Sequence, residues 1–182
     1  MFVGYFDESG YNDQAASFWI AGYVAEAPIW LDFTRLWTQA LAEFETISFH
    51  MTDLECRWGQ FTNWSNEKRI ALIDELVSII NLHNIHGIGA GIVKTDYDEV
   101  VLKSDLFVKG FLLQHQWRRP YYLAFQNCLV QTVAKMAALP ANEKVAVVFD
   151  RQKEFSAHAD VLYKGLQQDP RWPRKHRLGY NR

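Results

Sequence analysis

MFVGYFDESG, residues 1–10, drives an apolar and aromatic run straight into Asp7 and Glu8 and stops at Gly10. A second stretch has the same design. In EKVAVVFD, residues 143–150, five apolar residues from Val145 to Phe149 end on Asp150. Each reads as a β-strand that delivers a carboxylate at its carboxyl end. The unbroken apolar run of the second suits a central strand covered on both faces. If the two strands are parallel neighbours, Asp7 and Asp150 sit side by side.

The segments around these strands define the layers. SFWIAGYVA reads as a strand over about residues 17–25, and with a strand over about 2–8 it makes an antiparallel hairpin. Pro28 opens a helix on which Trp30, Phe33, Trp37, Leu41 and Phe44 recur at helical spacing. ISFHMTDLECRWGQFTNW has no clean period and reads as a long connection, with a short strand or turn near Phe49 and His50. Ser65 is a candidate N-cap for a second helix, with Ile70, Ile73, Val77 and Ile80 on its apolar side.

IHGIGAGIV suits a strand over about 86–94, its glycines marking a bend or a close backbone approach. The segment from Thr95 to Arg119 reads as a loop with helical turns. Pro120 starts a helix over about 120–138, with Tyr122, Phe125, Leu129, Val133 and Met136 aligned, and a last helix is expected over about 156–168. Alternating strands and helices predict an α/β fold, a mixed β-sheet with flanking helices. The domain is expected over residues 1–170, followed by a basic tail at 171–182.

Charge and composition exclude several classes. The chain has 182 residues, 49% apolar and 22% charged, with a net charge of −2. That is ordinary for one globular domain and carries no global nucleic-acid signature. The last twelve residues hold five basic side chains and no acid, which leaves 14 basic against 21 acidic residues in the rest, or −7. Such a tail can touch phosphates or simply solubilise an end. Cys56 and Cys128 form no C-x-x-C pair, so neither a disulfide framework nor a cysteine zinc site is expected. No cleavable leader and no membrane-spanning run is visible. The expected setting is the cytoplasm, with no membrane partner.

Two adjacent unneutralised carboxylates repel and need a shared proton or a cation. Oxygen ligands of this kind suit Mg²⁺ or Mn²⁺. A divalent ion held by aspartates serves phosphodiester hydrolysis. A strand-terminal aspartate can equally cap a loop. Glu8 alternates to the opposite face from Asp7 and joins the same site only if the strand has turned by then. His50 and Asp53 are three apart, suited to a proton-transfer pair or to a structural hydrogen bond. Arg118 and Arg119 precede the Pro120 helix, where they can grip phosphates or lie in a solvated loop. Gly87, Gly89 and Gly91 lack the helix-opening context of a dinucleotide site.

YFDESG, FWIAGYVA, FHMTD, IHGIGAGIV, PYYLAFQNCL and VAVVFD occur in an order that resembles the domain of unknown function family numbered 3800, over roughly residues 2–155. The resemblance implies a ribonuclease H-like fold in which a first-strand and a later strand-terminal aspartate bind divalent metal. Asp7 and Asp150 match those positions, and Glu8, His50 and Asp53 match further polar ones. Many members continue into a strand and a helix with a Gln-x-Ala-Asp-like motif. This chain ends Tyr180-Asn181-Arg182 without it, and Asp160 lacks that context. The expectation is therefore a truncated chain, an incomplete site, or a group supplied by a partner.

The leading expectation is a metal-dependent nuclease-like hydrolase, with Arg118 and Arg119 as substrate contacts and nucleic acid as partner. The alternatives are a non-catalytic interaction module, able to form a homo-oligomer, and a hydrolase of a small phosphorylated metabolite or nucleotide.

Overall fold

The computed structural model describes residues 1–10, 12, 14–103, 119–136, 145–149, 164 and 178–180. The helix expected over 156–168 lies outside the described residues, except for Lys164. Two compact units are distinguishable: Met1–Val24 with His86–Arg182, and Ala25–Ile85.

The first unit is built on a five-stranded sheet. Its strands are β1 (Phe2–Ser9), β2 (Ser17–Glu26), β3 (His86–Val93), β4 (Val145–Phe149) and β5 (Leu178–Tyr180), in the order β3-β2-β1-β4-β5. β1 and β4 pair in parallel, Phe2 opposite Val145 and Phe6 opposite Phe149. β4 and β5 are also parallel, whereas β2 and β3 are antiparallel. The sheet is therefore mixed, with helices packed on it, as the alternation of elements predicts.

Two glycines fix the β1–β2 hairpin. Gly10 has φ +79°, and a Cβ there would lie 2.0 Å from the Ser17 carbonyl oxygen. Only glycine fits that combination. A Cβ on Gly22 would lie 1.9 Å from the Tyr5 carbonyl oxygen and 2.8 Å from the Phe6 Cα. Gly10 thus faces Ser17 while Gly22 faces Tyr5 and Phe6, so β1 and β2 run in opposite directions.

One face of the sheet is apolar throughout. Phe2, Phe6, Phe18, Ile20, Val24, Ile88, Ala90, Val145 and Val147 are buried there against α5 (Pro120–Met136). The five α5 positions aligned by periodicity are all buried, and Tyr121, Ala124, Cys128 and Thr132 widen the stripe. The polar atoms in this layer find partners. Thr132 Oγ1 donates to the Cys128 carbonyl at 2.8 Å, and Cys128 Sγ donates to the Ile20 carbonyl at 3.2 Å. Burial pushes the Cys128 thiol up to about 12. β4 is central in the sheet order, but its burial is one-sided: Val145 and Val147 are buried, while Ala146, Val148 and Phe149 are half-buried.

The second unit packs α1 (Ala27–Glu43) with α3 (Asn66–Leu82). Trp30, Phe33 and Trp37 form a ring ladder on α1, with centroids 5.4 and 5.2 Å apart. Leu41 beyond them is buried. Ser65 caps α3 as expected, its hydroxyl accepting from the Lys68 amide at 3.2 Å. The buried face of α3 differs from the expected one. It is Leu72, Leu76 and Ile79, with Ile73 partly buried, whereas Ile70 and Val77 are exposed. The aperiodic connection also holds more structure than expected. It contains α2 (Met51–Cys56) and a 3-10 turn (Gly59–Phe61), whose Leu54 and Phe61 are fully buried. Elements this short span too few turns to show a period.

After β3 the chain forms α4 (Lys94–Tyr97) and a π-helical turn (Asp98–Leu102), the helical turns foreseen for this segment. Among the described residues no helix is long and apolar enough to cross a membrane.

Candidate functional site

The strand ends come first. Phe6 and Phe149 are opposite one another in the β1–β4 ladder, and their rings stack with centroids 5.1 Å apart and planes 20° from parallel. Phe125 of α5 packs against Phe149 at 4.7 Å. This aromatic triplet pins the two strands just before the sequence turns acidic in each. Asp7 follows Phe6. Asp150 follows Phe149 in the sequence and lies outside the described residues.

Asp7 is exposed, and its Oδ1 accepts the Glu8 amide at 2.8 Å. The carboxylate is an accessible, hard oxygen donor of the kind Mg²⁺ or Mn²⁺ takes. Glu8 does not join it. β1 continues through Ser9 and bends only at Gly10, so alternation sends Glu8 to the face opposite Asp7, the face of Phe2 and Phe6. Glu8 is half-buried there, with Oε1 out of solvent. Among the described residues no group of three or more His, Cys, Asp or Glu side chains converges.

His50 and Asp53 do meet. His50 precedes α2 with extended backbone, and its Nδ1 lies 3.5 Å from Asp53 Oδ1. Both side chains reach solvent, at 69% and 46% exposure. That openness suits a group exchanging protons with water or ligand better than a core hydrogen bond. The pair belongs to the unit Ala25–Ile85, and Asp7 to the other.

Arg119 is exposed immediately before α5, where its carbonyl accepts the Tyr122 amide at 3.2 Å. Arg118 lies outside the described residues. Periodicity and motif spacing do not single out Arg57 and Arg69, yet both reach the side-chain oxygen of Asn66. Arg57 stands in an aperiodic connection and Arg69 within a helix, so only their fold brings them together.

No family model matches this chain, and no curated protein is significantly similar to it.

Proposed function

We infer that the chain is a divalent-metal-dependent hydrolase of phosphodiester bonds, ribonuclease H-like and related to the family numbered 3800. Asp7 and Asp150 hold Mg²⁺ or Mn²⁺ in this reading. The observation that carries it is the parallel β1–β4 pair with Phe6 stacked on Phe149, each one residue before an aspartate. Functional groups gather beyond the carboxyl ends of parallel strands. A bound divalent ion supplies charge stabilisation at a phosphoryl group and lowers the pKa of water. The chain contributes Asp7, accessible and oriented by the Glu8 amide, on a strand held rigid by the aromatic triplet. Glu8, on the other face of β1, is no ligand in this reading.

Calorimetric titration with Mn²⁺ tests it, with wild type beside Asp7→Ala and Asp150→Ala. Binding by wild type that both variants lose supports one shared site and justifies assays on DNA, RNA and nucleotides. The His50–Asp53 pair is tested separately, by His50→Ala in those assays. Wild type that fails to bind overturns the metal reading.

A second reading, a non-catalytic interaction module, has its own observation. Trp19 and Tyr23 of β2 expose 51% and 39% of their surface. Trp19 is held flat, its indole N–H donating to Ser17 Oγ at 2.9 Å and its ring lying over Gly91. Exposed, fixed aromatic rings are common at interfaces. Partner capture by a chain that binds no metal, lost in Trp19→Ala, would favour this reading.

A further inference from the structure

Arg57 follows α2, Arg69 lies in the first turn of α3, and their guanidinium groups meet on one neutral atom. Arg57 Nη2 donates to Asn66 Oδ1 at 2.8 Å, and Arg69 Nη1 donates to the same oxygen at 3.2 Å. The two nitrogens are therefore no more than 6.0 Å apart, the sum of the two bonds. Like charges this close repel, and an amide oxygen carries no charge to offset them. The other contact of Arg69 is neutral as well, Nη2 donating to the Glu55 carbonyl at 3.4 Å. Its Nε lies out of solvent with no hydrogen-bond partner among the described residues. Among the described residues neither arginine forms an ion pair with a carboxylate.

Two of the neighbouring charges are engaged elsewhere. Lys68 lies 3.5 Å from Glu45 Oε2 and 4.3 Å from the Trp64 ring centroid. Glu67 bonds its own amide and the Ser65 hydroxyl, which hold its carboxyl below the usual range. Arg57 itself has φ 56° and ψ 46° at the end of α2, a conformation that glycine suits better. The chain nevertheless keeps a guanidinium there.

We propose that Arg57 and Arg69 form a phosphate-binding site. One phosphate group between them would replace the repulsion with two charge-assisted hydrogen-bond sets, the pairing for which planar guanidinium forks are suited. The site lies wholly within the unit Ala25–Ile85. The short helix α2 carries the His50–Asp53 pair at its start and Arg57 just past its end. The site does not rest on Asp7 and Asp150 holding a metal. Its ligand is either a free phosphate or nucleotide, or the backbone of a single-stranded nucleic acid.

The test uses the full chain in EDTA, which removes any metal contribution. Inorganic phosphate, and then a short single-stranded DNA, are titrated while the arginine side-chain N–H resonances are followed by NMR. Wild type is compared with Arg57→Gln and Arg69→Lys, each checked for folding by thermal melting. Saturable phosphate binding, weakened about tenfold in each variant, is the expected result. DNA binding whose salt dependence drops by about one unit of slope in Arg57→Gln identifies the backbone as the source. Phosphate binding without DNA binding identifies a free phosphate or nucleotide. Binding of neither probe, or binding unchanged in the folded variants, overturns the proposal. Should Arg69→Lys unfold, Arg57→Gln decides alone, because Arg57 is exposed and its loss opens no cavity.

Discussion

Helices α3 and α5 are both 17 residues long and both rich in apolar residues, yet α5 buries nine side chains and α3 three. The difference lies in what each packs against. α5 rests on a sheet, whose pleated surface offers several parallel rows of side chains. α3 packs on α1, and one helix offers another only a ridge and a groove. The surplus apolar residues of α3 stay in water: Ile70 is 58% exposed, Val77 46% and Leu82 71%. Apolar spacing tells that a helix packs, and the shape of its partner sets how much of it is covered.

Substitutions can break this comparison, and the largest effect belongs to the sheet. Phe125→Ala removes a fully buried ring that packs on Phe149 and Tyr121, and should cost about 3–5 kcal/mol in chemical denaturation. Leu72→Ala, fully buried on α3, should cost about 2–4 kcal/mol. Val77→Ala, five residues further along the same helix, should stay within about 0.5 kcal/mol. A Val77→Ala cost equal to that of Leu72→Ala would show that the exposed side of α3 is covered in solution.

These pairs also show where the sequence was legible. β1, β2, β3 and α5 each carry one unambiguous pattern, a short β-rich run or a single apolar stripe, and the structure follows it. α3 does not. Ile70, Ile73, Val77 and Ile80 have helical spacing, but so do Leu72, Leu76 and Ile79. Periodicity fixes the period and leaves the phase open when apolar residues lie all round a helix. Leu54 and Phe61 were hidden for another reason, since α2 and the 3-10 turn are shorter than any window that shows a repeat. At the candidate site, Asp7 was legible because a strand points to it. Glu8 hinged on where β1 bends, which is at Gly10, two residues too late for it to share a face with Asp7. The meeting of Arg57 and Arg69 depends on a left-handed residue that no motif announces.

Smaller effects sharpen the helical side. Ser65→Ala removes the α3 cap and should cost about 1 kcal/mol, seen as faster amide exchange in the first turn. The smallest effect is electrostatic. Arg35 chiefly, and then His83, hold the Asp32 carboxyl below its ordinary value of 3.8, outweighing an opposing desolvation. A depressed carboxylate stabilises the fold above its unfolded pKa and loses that contribution as pH falls through the folded one. Asp32 should therefore titrate below 3.8 by NMR, and Asp32→Asn should flatten the acid limb of the stability profile slightly. A midpoint at or above 3.8 would remove Asp32 from the forces holding α1.

The β1–β4 ladder joins Phe2 to Val145, 143 positions apart. Closing a loop of that length carries an entropic cost of roughly 4 kcal/mol before any contact repays it. The pair also cannot form until residue 149 has left the ribosome, whereas the α1–α3 hairpin needs only local contacts. During synthesis β1 therefore waits, its apolar edge exposed, while the helical unit between β2 and β3 is already complete in sequence. The strand end that presents Asp7 gains its parallel partner only once β4 has been made, and a chain interrupted before β4 would carry Asp7 on a strand that has no parallel partner.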